Sequence, residues 1–69
     1  MRPDKGINMI GHTFVSKTET RHLAIVMATF CSEGIPTVEF ARMCRGQFMG
    51  KDYMPRTLFL NLFVKYSAI

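Results

Sequence analysis

The sequence predicts a mainly α fold: a small three-helix module over residues 16–69, behind a flexible or extended arm over residues 1–15. Three observations predict it. Ser16-Lys17-Thr18-Glu19 has the form of a capping box and stands before Leu23, Val26, Met27 and Phe30, which recur at i, i+3, i+4 and i+7. Pro36 and Gly46 bracket a second apolar segment as a helix start and stop would. Thr57, Asn61 and Lys65 repeat every four residues and form one polar stripe through an otherwise apolar tail.

The arm opens with Arg2, Pro3, Asp4, Lys5 and Gly6, a loose polar head. Ile7 to Val15 is more apolar, with Gly11 breaking the run. It reads as a short strand or an arm packed on the core. The first helix should start at Ser16, whose hydroxyl can accept from the N–H of Glu19, and run to about Ser32 with Gly34 as its left-handed stop. Ala24, Ile25, Ala28 and Thr29 leave that helix scarcely any polar side, so it should be buried on two sides. In the second helix Pro36 suits the first turn and Thr37 competes as N-cap. Glu39 sits near the positive end of the dipole, with Arg42 and Arg45 near the negative end. Phe40, Ala41, Met43 and Cys44 supply its apolar face.

Gln47 to Asp52 reads as a joint containing Gly50, with Phe48 and Met49 tucked under it or exposed as a contact point. The tail carries two signatures. Leu58, Leu60, Leu62, Val64 and Tyr66 alternate with their neighbours, as in a strand. Against that stand Asp52 as a cap, Pro55 in a tolerant first turn, and the length of the run. These favour a helix over residues 53–66.

Sixty-nine residues allow one domain at most. A chain this short buries only about 60% of its unfolded surface. A hydrophobic content of 48% with 20% charged residues argues against disorder throughout. The length excludes a substrate-enclosing multidomain enzyme. Nothing in the chain supplies catalytic material: His12 and His22 have no evident nucleophile, and Gly46 and Gly50 are not followed by the Lys-Ser/Thr of a phosphate loop. No cofactor is implied. Zinc would require Cys31, Cys44, His12 and His22 without the usual paired spacing, so no metal site is expected. With no secretory leader in the polar head, both thiols are expected free and packed as small hydrophobes in a reducing, cytoplasmic setting. No apolar run reaches the roughly 18 residues of a membrane span.

The formal net charge is +4. Residues 23–41 carry only Glu33 and Glu39, whereas residues 42–56 carry Arg42, Arg45, Lys51 and Arg56 against Asp52, a net +3. Such a basic joint reads first as a solvated loop, and it is basic enough for phosphate contacts.

Helix, tight turn, helix over Leu23–Gly46 resembles a helix-turn-helix transcriptional regulator. Thr37, Val38, Phe40, Ala41 and Gly46 stand where that broad family reads Thr-Val-x-apolar-Ala and a closing Gly. The resemblance covers about residues 21–66 and implies a dimer that binds duplex DNA. Arg42, Arg45, Lys51 and Arg56 would then meet phosphates, and Thr57 and Asn61 would reach base edges. The alternative is a small adaptor or inhibitor, a protein-interaction module with an exposed apolar patch drawn from Phe48, Met49, Leu58, Phe59, Leu62, Phe63 and Tyr66. In either case the apolar load exceeds what one short chain covers, which predicts a homodimer.

Overall fold

Ile25, Val26 and Thr29 carry branched Cβ atoms, which suit a pleated strand better than a helix. The structure, a computed structural model that describes residues 9–66, follows that preference. Its elements are β1 (Thr13–Ser16), β2 (His22–Ser32), β3 (Ile35–Cys44), β4 (Gln47–Pro55), α1 (Arg56–Leu62) and β5 (Phe63–Lys65). The five strands form one antiparallel sheet in the order β4-β3-β2-β1-β5.

Two tight hairpins build the centre. Ser32 pairs with Ile35 across Glu33 (φ 53°) and Gly34 (φ 80°). Cys44 pairs with Gln47 across Arg45 (φ 54°) and Gly46 (φ 81°). Positive φ at both central residues is the signature of the type I′ turn, whose twist matches that of the flanking strands. Pro36 is tolerated in β3 because the β4 pairing stops at Thr37 opposite Pro55, so no partner there needs a donor from residue 36.

Strands β4 and β5 are the two outer edges, so the segment joining them must cross the sheet. That segment is α1, laid over one face. Phe59 points into the sheet and is fully buried. Its ring lies 5.0 Å from Phe14 edge-on, 5.1 Å from Phe40 and 4.8 Å from Phe63, the last a stacked pair. Met9, Ala24, Val26 and Val38 complete the core beneath it. At the β4 edge, alternation of the ladder turns the Tyr53 N–H away from β3. It donates instead to Oδ1 of Asp52 at 2.8 Å.

The three-helix expectation is therefore corrected. Ser16 makes the hydrogen bond foreseen for it, accepting from Glu19 N–H at 3.0 Å and from Thr18 N–H at 3.3 Å. The chain then bends, with His22 N–H donating to the Glu19 carbonyl at 2.9 Å, and enters β2 rather than a helix. Pro36 to Gly46 is a strand and half a turn. Gly34 and Gly46 close hairpins, not helices. Of the helix expected over residues 53–66, only Arg56–Leu62 is helical; Tyr53–Pro55 ends β4, and Phe63–Lys65 is β5. Asp52 caps no helix; it lies in β4. Thr13–Ser16 is an interior strand of the sheet, between β2 and β5. The expected loose head and Ile7 lie outside the described residues. Among the described residues no helix is long and apolar enough to cross a membrane.

Candidate functional site

Because strand side chains alternate, register divides the sheet into two faces. Phe14, Ala24, Val26, Val38 and Phe40 point toward α1 and are buried. Their neighbours point the other way, where no element among the described residues lies over them. A bulge between Val26 and Ala28 shifts the phase of β2, so Phe30 joins the uncovered face, opposite Thr37.

The uncovered face is organised in rows. One row crosses all five strands and is apolar throughout: Val64, Val15, Leu23, Met43 and Phe48 stand side by side in β5, β1, β2, β3 and β4. The next row holds Thr13, Ile25, Ala41 and Lys51, with Tyr66 beside Thr13 through its N–H to the Thr13 carbonyl at 2.9 Å. Farther along, Phe30 and Tyr53 meet edge-to-face at 6.5 Å, above Thr37 and beside Ile35. Thr37 is 94% shielded there, and its Oγ1 donates to the Ile35 carbonyl at 2.9 Å, so its hydroxyl is satisfied. Glu39 and Lys51 are the two charged side chains in these rows, and their carboxylate and ammonium lie 4.0 Å apart. The face is thus apolar and without net charge. Val64, Phe48, Tyr53 and Ile35 each leave about half or more of their surface in solvent.

The helix-turn-helix fold is overturned by this architecture. Among the described residues there is no helix pair to enter a groove, and α1 is a single helix of seven residues. The residues assigned to nucleic acid are dispersed. Arg45 sits in the β3–β4 turn and Arg56 begins α1, at opposite ends of β4. Arg42 lies on the α1 side, 3.9 Å from Asp52, while Lys51 is on the opposite face with Glu39. Thr57 and Asn61 are exposed on α1.

The apolar residues expected at an interface also divide. Phe48 and Tyr66 stand on the uncovered face. Met49 is exposed at the β4 irregularity beside Gly50, and Leu58 and Leu62 are exposed on α1. Phe59 and Phe63 belong to the core. Leu23, Ile25, Phe30, Ile35, Met43, Tyr53 and Val64 on the uncovered face were not anticipated as a surface. The signal available for them was the alternation Thr37, Glu39, Ala41 against Val38, Phe40, Arg42.

Cys31 lies opposite Pro36 and Cys44 opposite His22, at the two ends of the β2–β3 ladder. That separation, about 30 Å at strand rise, rules out a bond between them and a shared metal site. Neither thiol sits on a helix face. Cys31 is exposed and Cys44 half-buried, which corrects the expectation of two sequestered thiols. In the native protein Cys31 should react with Ellman's reagent at close to the rate of the unfolded chain, with Cys44 several-fold slower. Equal protection of both would contradict their placement.

Comparison with protein-family models, with curated proteins and with solved structures finds no match to this chain.

Proposed function

We propose that the protein is a small protein-interaction module that works through the uncovered face of its sheet. One observation carries this reading: a five-strand apolar surface, neutral in charge, lies on the side away from α1. Contiguous apolar surface of this extent marks interaction sites on small proteins. A sheet whose second face is apolar ordinarily buries it against another layer. The face offers the makings of an interface core. It has aromatic anchors in Phe30, Tyr53 and Phe48, aliphatic filling around Leu23 and Ile25, and few charges.

A photo-cross-linking residue placed at Ile25 tests the proposal in cells, with the same residue at Asn61 on α1 as control. Ile25 should give one dominant cross-linked protein species, and Asn61 should give little. Equal capture from both positions, or capture from Asn61 alone, would remove the sheet face as the interaction site.

A further inference from the structure

Resting on that reading, we infer that the occupant of the uncovered face is a second copy of this chain, packed face to face as a two-sheet sandwich with Leu23 on the twofold axis.

The first argument is size. Five strands at about 4.8 Å spacing and a mean length near seven residues give a flat footprint of about 600 Å². Side-chain relief brings the accessible area toward the about 800 Å² per partner of a standard interface. A much larger partner surface would have to shape itself around a flat sheet; an identical sheet matches it in extent and twist.

Charge supplies the second argument. The chain carries +4 overall, so two copies repel where their charge is exposed. The uncovered face is where that repulsion is least, because Glu39 neutralises Lys51 within each copy at 4.0 Å.

Symmetry is the third. An isologous interface needs a patch complementary to itself. Strand β2 is the middle strand of the five, and Leu23 is the middle residue of the all-apolar row. A twofold axis running along β2 at Leu23 sets Val15 against Met43 of the other copy and Val64 against its Phe48. Apolar meets apolar at every position of this row.

The test uses the full chain. Wild type should sediment as a dimer at micromolar concentration. Leu23→Lys and Leu23→Asp should each weaken the dimer by at least about 30-fold, as loss of a central contact does. Far-UV circular dichroism should keep its β signature, since Leu23 faces away from the core. Mixing the two variants should restore a dimer of one copy each, because the axis brings residue 23 against residue 23. If the charged variants do not fold, Leu23→Cys in a Cys31→Ser, Cys44→Ser background replaces them. A short bismaleimide should then link two copies, whereas Asn61→Cys should not link.

A wild-type dimer indifferent to both charges would overturn the inference. So would a mixture that fails to associate. A wild-type monomer that binds an apolar dye, with dye binding lost in Leu23→Lys, would overturn the dimer and leave the interaction module standing. A monomer that binds no dye would overturn both.

Discussion

Phe59→Ala should leave the chain largely unfolded at 25 °C. Phe59 is the residue through which α1 holds the sheet. It is fully buried and packs three other phenylalanine rings at 4.8 to 5.1 Å. Truncating a buried phenylalanine costs about 3–5 kcal/mol in lost transfer energy and residual cavity. A single small core supplies about that much net stability in total. Urea titration followed by far-UV circular dichroism, at fixed protein concentration, checks the expectation. Leu60→Ala, one position along and exposed, should change the midpoint by less than about 0.5 kcal/mol in stability. A cooperative unfolding curve for Phe59→Ala within about 1 kcal/mol of wild type would mean that α1 does not pack on the sheet.

The two hairpin glycines should show the next largest effect. Gly34 and Gly46 hold φ of 80° and 81°, and no heavy atom lies within 4 Å of a Cβ added at either. The penalty for a side chain there is therefore conformational rather than a clash. An L-residue in the left-handed region costs about 1–2 kcal/mol, and β-branched residues stand at the upper end. The double variant Gly34→Val, Gly46→Val should lose about 3 kcal/mol. The change should have the opposite sign at the preceding positions. Glu33 and Arg45 already bear positive φ without the local hydrogen bonding that lets Asn adopt it. Glu33→Asn and Arg45→Asn should each stabilise by a few tenths to about 1 kcal/mol. If the valine variants melted at the wild-type midpoint, the turns would not be of the I′ type.

The same two turns explain why the sheet was hard to read in the sequence. Asn-Gly or Asp-Gly between apolar runs would have announced hairpins; Glu33-Gly34 and Arg45-Gly46 announce helix stops equally well. Strand β2 compounds the difficulty. Both of its faces are apolar, one for the core and one for the open surface, so the period-2 alternation vanishes. The bulge at Val26–Ala28 then breaks what phase remains. An element apolar on all sides was legible; its geometry was not. Ser16 is the sharpest case. Its hydrogen bond to Glu19 N–H is local and was readable, but the same bond serves a turn as well as a helix. In the tail neither pattern holds over its full length: the four-residue repeat fits α1 only from Thr57 to Asn61, with Lys65 in β5, and most of the alternation, Leu58 to Leu62, lies on the helix. Phe48 and Tyr66 were legible as surface. The rest of the face is spread over the arm and three segments whose sequence predicts helices.

The Asp52 carboxylate at the β4 margin has a consequence for assembly. A peptide group facing outward from a sheet's last strand invites another chain to add its own strand, and addition of that kind has no natural end. At Tyr53 the invitation is withdrawn, since the N–H is already engaged by the neighbouring side chain at 2.8 Å. Gly50, with φ of 126° at the break in register, disturbs the same margin, and Pro55 ends it without a donor. The opposite margin, β5, is only three residues long. Lateral recruitment is thus discouraged on both sides, which steers association of this chain toward complexes of fixed size rather than fibres.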